Sequence, residues 1–200
     1  MSATPRQQGQ GDDHYGTPPL ITRDLLRACP EIAEAHVVEP CAGRGEIVAV
    51  LREAGCKVLA SDLHPQTPSL IPPPAPLDLV GDLLDPTHRT ALGDRALFGR
   101  FDWAITNPPY ALADACVEAC LELAPRVAVL MRLGWLEPLK TDAGRRLRLL
   151  EQVRGIVLVG RPRWRDELGA SIPGRDSVGS AWVVLGTGTS GWRGVFVGGE

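Results

Sequence analysis

Val37-Val38-Glu39-Pro40-Cys41-Ala42-Gly43-Arg44-Gly45 is an apolar run that ends on an acid and is followed at once by a proline and two glycines in alternate positions. The stretch reads as a strand over residues 36–39, a turn over 40–45 and a helix over 46–54 that Gly55 stops. Glycines at a helix N-terminus let the backbone approach a ligand closely. The third glycine that would complete a dinucleotide fingerprint is missing. Glu39 shifts the chemistry further, because a carboxylate repels a pyrophosphate and attracts a cationic amino group. A zwitterionic amino-acid moiety therefore fits this turn better than a dinucleotide.

Outward from the turn, the same alternation recurs. A short helix is expected from Thr22, as its N-cap, to the residues before Pro30, and a second strand over 57–61 ends at Asp62. Six prolines between Pro65 and Pro76 mark a stiff loop that can be neither helix nor central strand. A weak third strand over 77–80 ends at Gly81-Asp82; a helix over 87–97, a fourth strand over 101–106 and a helix over 114–123 follow. The nearly all-apolar run Arg126 to Met131 is what a buried parallel strand requires. A helix over 141–153 and strands over 155–159 and 181–185 complete the series. The expected fold is α/β, an open, mostly parallel sheet with helices on both faces, in which ligands bind at the carboxyl ends of the strands. Glu39, Asp62 and Asp82 all fall at such ends. Asp62, 17 residues after Gly45, is placed to bridge ribose hydroxyls, and Asp82 to accept from an adenine amino group.

At the end of the fourth strand stands Asn107-Pro108-Pro109-Tyr110. The prolines hold the backbone extended and stiff as it leaves the strand. The Asn107 side-chain oxygen and the Pro108 carbonyl can then both accept hydrogen bonds from one NH2 group, while the Tyr110 ring offers a stacking face. An extruded base is held by groups of this kind.

With 200 residues, 44% of them hydrophobic, the chain can bury one core without staples. Net charge is −3, which argues against binding nucleic acid by sheer positive charge. Its distribution is uneven, with a net of −8 over residues 1–125 and +6 over 126–175. The basic segment either faces a polyanion or is an ordinary solvated surface. The five cysteines (Cys29, Cys41, Cys56, Cys116 and Cys120) include no CxxC pair, so buried free thiols are expected rather than a metal ribbon or disulfide framework. Neither a signal peptide nor an apolar run of membrane length is evident, and a reduced cytoplasmic setting, bacterial or that of a phage-infected host, is the expectation.

The ordered set VVEPCAGRG, SDL, GDLLD and TNPPY resembles class I S-adenosylmethionine-dependent methyltransferases of the amino-group N-methylating branch, over about residues 15 to 131. The resemblance implies a Rossmann-like, seven-stranded sheet with S-adenosylmethionine as cofactor. It also implies that Glu39, Pro40, Cys41, Gly43 and Gly45 surround the methionine part, Asp62 and Leu63 the ribose side, Asp82 and Leu83 the adenine, and that Asn107 serves cofactor and substrate alike. Tyr15-Gly16-Thr17-Pro18-Pro19 is similar to the TP element of adenine-specific DNA methyltransferases, including small phage-type ones, which implies that Thr17, with Tyr15 beside it, helps hold the methionine end. An ordinary turn at a helix entry is the alternative. The pieces around Arg132 to Glu137, Gly160 to Trp164 and Asp176 to Trp182 also resemble the tail of such phage-type enzymes.

The expected activity is methyl transfer to the N6 amino group of adenine in DNA, with Asn107, Pro108, Pro109 and Tyr110 at the chemistry and no metal. Arg132, Trp135, Arg161, Arg163 and Trp164 are candidates for phosphate contacts and stacking; core placement of the tryptophans is the alternative. RNA adenine, a protein glutamine, or a degenerate fold that only binds nucleic acid are the competing readings. The expected organisation is a polar tail over 1–13, one domain over 14–186 with a Pro-rich loop at 64–76 and a small substrate-contacting region within 132–180, and a tail over 187–200. With no large target-recognition domain, sequence preference is expected to be short or relaxed unless a partner subunit supplies it.

Overall fold

The computed structural model describes residues 16–66, 73–96, 100–137, 143–161, 179–186 and 194–197. Its strands are β1 (His36–Glu39), β2 (Lys57–Asp62), β3 (Leu79–Val80), β4 (Trp103–Thr106), β5 (Arg126–Arg132), β6 (Val153–Gly160), β7 (Ser180–Gly186) and β8 (Gly194–Val197). The helices are α1 (Pro19–Ala28), α2 (Glu46–Glu53), α3 (Pro86–Gly93), α4 (Ala113–Leu123) and α5 (Ala143–Leu150). The strands form one sheet in the order β3-β2-β1-β4-β5-β7-β6-β8. β7 runs antiparallel to β5 and β6, and the other paired strands are parallel. The carboxyl ends of β1 to β6 therefore share one edge.

Seven strands were expected and an eighth is present. β8 lies within the stretch that reads as a tail, because Gly194-Val195-Phe196-Val197 is too short to show a period and acquires its strand by pairing with β6. The start of α1 also differs. Thr22 is no cap: the helix begins at Pro19, whose fixed φ suits the first turn, and Thr22 is fully buried with its hydroxyl unpartnered. Burying Ile21 and Leu25 on the same helix stabilises by about 1.5–3 kcal/mol each, which exceeds the roughly 1–3 kcal/mol that one unmet hydroxyl costs. Packing, not capping, sets where α1 lies.

The strands bury both faces, as their near-continuous apolar runs require. Val127, Val129 and Met131 of β5 point into the core beneath α3, α4 and α5, while Ala128 and Leu130 point into the core beneath α1 and α2. Trp103 and Trp182, both fully buried, fill the second core, and the Trp182 indole donates to the Ile21 carbonyl at 2.8 Å, tying α1 to β7. All five cysteines are free thiols, four of them buried. No described helix is long and apolar enough to cross a membrane.

Candidate active site

The polar clusters meet at the shared carboxyl edge. β1 ends on Glu39, and the turn after it doubles back through Gly43 and Gly45, both at positive φ (52° and 85°), before α2 begins. The end of β2 braces this turn. The Ala42 N–H donates to the Ser61 carbonyl at 2.8 Å, and the Gly43 N–H donates to Asp62 Oδ2 at 2.8 Å. Asp62 Oδ1 accepts from the His64 N–H at 3.2 Å, so both oxygens of this acid already hold backbone. Gln66 pins the Pro-rich loop onto the same turn by donating to the carbonyls of Gly43 (3.2 Å) and Ala75 (2.7 Å). Residues 67–72 of that loop lie outside the described residues.

Gly45 shows why the turn needs glycine. A Cβ there would stand 2.6 Å from the Ala75 carbonyl oxygen, and φ is +85°. Gly45→Ala is expected to destabilise the fold by about 1–3 kcal/mol, read as a lower denaturation midpoint with an unchanged slope. An unchanged midpoint would show that the loop moves away freely.

Glu39 is the most unusual side chain of the site. It is fully buried and neither carboxyl oxygen makes a hydrogen bond. Burial pushes its pKa well above the usual carboxylate range, against the opposing pull of the nearby Thr106 hydroxyl, and Asp62 and Glu46 add to the rise. Thr106 Oγ1, also fully buried, is likewise unpartnered, as are Asn107 Oδ1 and Ser180 Oγ. Buried orphan polar atoms are rare and call for an explanation. Here those of Glu39, Thr106 and Asn107 stand together where the neighbouring strands β1 and β4 reach the edge, while that of Ser180 lies beyond β5 at the start of β7.

Asn107 is oriented by a residue from the far end of the described chain. Its Nδ2 donates to Thr17 Oγ1 at 3.2 Å across a separation of 90 residues, and Thr17 is itself buried. With the nitrogen held, the side-chain oxygen is left as a buried acceptor without a donor. Pro108 is buried, Pro109 is exposed, and Tyr110 begins a short 3-10 turn through Leu112. Tyr110 is half-buried, and the Arg132 guanidinium lies over its ring, 4.7 Å from the centroid.

Several residues lie elsewhere than expected. Trp135 is not a stacking face: it is buried, its indole N–H donates to Asp114 Oδ1 at 2.7 Å, and Arg146 lies 4.9 Å over the ring while bonding Asp114 and the Trp135 carbonyl, each at 2.8 Å. Leu83 packs in the core instead of lining a ligand site, because the Leu84 N–H closes a tight turn on Asp82 Oδ1 (2.8 Å) that aims Leu83 inward. Leu63, by contrast, is half exposed at the end of β2, and Asp82 is exposed. The Cys41 side chain faces the core beside Cys116 and Cys120, so only its backbone belongs to the turn; contact with the Cys116 thiol, then burial, hold its thiol well above the ordinary range. Pro40 is buried behind Glu39. Arg161 is exposed just past β6 at the same edge as Arg132. Tyr15, Arg163 and Trp164 lie outside the described residues.

Two features of this edge escape a reading of motifs. Among the described residues, five of the six exposed large apolar side chains (Leu20, Leu63, Val80, Leu112 and Leu133) sit there, which is how a contact face looks. Charge is also divided along it, with acids after β1, β2 and β3 and arginines after β5 and β6. No group of three or more His, Cys, Asp or Glu suited to a metal occurs among the described residues.

No protein-family model and no curated protein matches the chain. Its architecture is similar to that of a candidate RNA methyltransferase from Pyrococcus horikoshii (TM-score 0.56, 13% identity, 87% of each chain covered). It is similar also to a type I restriction-modification methyltransferase subunit from Streptococcus thermophilus (0.58, 13%, 89% of this chain and 46% of that one). A third likeness is to the modification subunit of a candidate type I restriction enzyme from Vibrio vulnificus (0.57, 15%, 94% and 48%). The chain thus spans about half the length of the two restriction-modification subunits. The fold is the Rossmann-like fold of class I methyltransferases, extended by β8.

Proposed function

We propose that the protein is an S-adenosylmethionine-dependent methyltransferase acting on the N6 amino group of adenine in DNA. The observation that carries this reading is the Asn107 side chain, whose nitrogen is taken by Thr17 and whose oxygen is a buried acceptor without a donor. Such an oxygen suits one NH2 group. The cofactor fits the acid side of the edge: the unpartnered, buried Glu39 carboxyl suits an ammonium group, the Gly43 and Gly45 backbone suits close approach, and Asp62, Leu63 and Asp82 follow in order for ribose and adenine. When bound, S-adenosylmethionine supplies an electrophilic methyl group.

The chain's own residues then have mainly to align a nitrogen. Hydrogen bonds from the amino group to Asn107 Oδ1 and the Pro108 carbonyl draw its lone pair out of conjugation and aim it. No strong base is needed before attack, because the proton leaves after the nitrogen has become cationic. Tyr110 offers its face to the extruded base, a contact worth about 1–3 kcal/mol. Arg132 and Arg161 place positive charge, and the rim leucines apolar surface, where a duplex would lie.

RNA is the second reading, favoured by the similar length of the archaeal candidate RNA methyltransferase, which is covered over 87%. Labelled S-adenosylmethionine offered with DNA, RNA and protein together separates the readings. Label is expected in DNA, as N6-methyladenine; label in RNA or protein would replace the substrate, and no cofactor binding by calorimetry would leave only a nucleic-acid-binding module.

A further inference from the structure

β3 is an edge strand of two residues, paired with β2 through Ser61 opposite Leu79 and Asp62 opposite Val80. So short a ladder does not by itself fix the residues that follow it, yet Asp82, the acid given to the cofactor's adenine, stands just past its end. Side chains of α3 supply what the ladder lacks. The Arg89 guanidinium donates to the carbonyls of Leu83 (3.0 Å) and Leu84 (2.9 Å). One residue earlier, His88 Nε2 shares a hydrogen bond of 2.8 Å with the hydroxyl of Ser61, a fully buried residue whose carbonyl also accepts the Ala42 N–H of the glycine turn. The same ring lies against Gly81, where a Cβ would stand 2.3 Å from His88 Nδ1 and 2.6 and 2.7 Å from Cε1 and Cγ. Gly81 is not at positive φ, so room for the ring, and not backbone freedom, is what requires glycine there. Its own N–H donates to the Asp62 carbonyl at 2.8 Å. The imidazole is thus wedged between the end of β2, which carries Asp62, and the turn that carries Asp82.

We propose that His88 is a positioning residue for the adenine half of the cofactor: wedged between Ser61 and Gly81, its ring sets where the Asp82 carboxylate stands relative to Asp62, and so gives the site its preference for a purine with a 6-amino group. This rests on the reading of Asp82 as the acceptor of that amino group. Asp82 Oδ1 takes the Leu84 N–H at 2.8 Å, which fixes the rotation of the carboxylate and turns Oδ2 to the ligand. A carboxylate oxygen accepts from an amino group and repels a carbonyl oxygen at the same place, so the discrimination depends on where that oxygen stands. His88 touches no part of the ligand in this scheme and acts through the backbone of Gly81.

The test compares two ligands by calorimetry: S-adenosylhomocysteine and S-inosylhomocysteine, in which a carbonyl replaces the 6-amino group. The wild type is expected to prefer the adenosyl compound by about 10- to 100-fold, the loss of a hydrogen bond to a charged group. His88→Ala is expected to cut that preference about five-fold or more, chiefly by weakening the adenosyl compound, because a misplaced acceptor makes a poor hydrogen bond. His88→Gln, long enough to reach Ser61, should keep part of the preference. Gly81→Ala should lower the preference in the wild-type background and have little further effect when combined with His88→Ala, since the space the ring occupied is then empty. A merely structural role for His88 would lower both affinities together and leave their ratio unchanged. That result, or additive effects of the Gly81 and His88 substitutions, overturns the proposal. A wild type without a preference would overturn it one step earlier, by removing Asp82 from the adenine. Methyl transfer to DNA by the wild type is judged apart from all of these.

Discussion

Asn107→Ala is expected to lower methyl transfer to duplex DNA by about 100- to 1,000-fold while S-adenosylmethionine still binds. The oxygen removed is the one acceptor whose direction the fold has set, because Thr17 holds the amide nitrogen at 3.2 Å. Without it the substrate nitrogen keeps its lone pair in conjugation and is no longer aimed. The Thr17 hydroxyl loses its partner at the same time, at a cost of about 1–3 kcal/mol, so stability is measured alongside activity. Asn107→Asp keeps an acceptor oxygen and should retain more activity than alanine. Undiminished transfer by the alanine variant would remove Asn107 from the chemistry.

Glu39→Gln is expected to weaken S-adenosylmethionine binding by about 10- to 100-fold, the loss of a hydrogen bond to a charged group. A second readout is more diagnostic. Burial raises the Glu39 pKa, so the empty protein holds a proton there above the usual carboxylate range, and a bound ammonium favours the ionised form. Cofactor binding should therefore release a proton, seen by calorimetry in buffers of different ionisation enthalpy, and Glu39→Gln should abolish that release. Stability follows the same sign. A folded-state pKa above the unfolded one stabilises fully below the ordinary carboxylate value and loses that contribution as pH rises through the raised value. The wild type should thus lose thermal stability relative to Glu39→Gln as pH rises. Proton release that survives the substitution would assign it to another group.

Much of the fold is legible because its causes are local. The strand over His36–Glu39 is found where the apolar run stands, and Gly43 and Gly45 occupy positive-φ positions that only a turn of that kind requires. The bounds of α4 and β5 differ from expectation by one residue at most. Where local evidence was thin, the reading failed for identifiable reasons. Thr22 looks like a cap but is held inside by its neighbours' burial, and β8 is four residues whose strand depends on β6. Trp135 reads equally as a stacking face or a core residue, and the buried network with Asp114 and Arg146 decides for the core.

The amino-acid sequence by itself determined the order of the helices and of strands β1 to β7, the glycine turn, the acids at the strand ends and the stiff Asn107 to Tyr110 segment, since periodicity and backbone preference act over a few residues. Only the tertiary structure decided that Thr17 holds the Asn107 nitrogen and leaves its buried oxygen without a donor, that Glu39 is left buried and unpartnered, and that Arg132 lies on Tyr110. Those outcomes depend on which distant segments pack together and on which polar atoms that packing strips of water, and no local pattern encodes either.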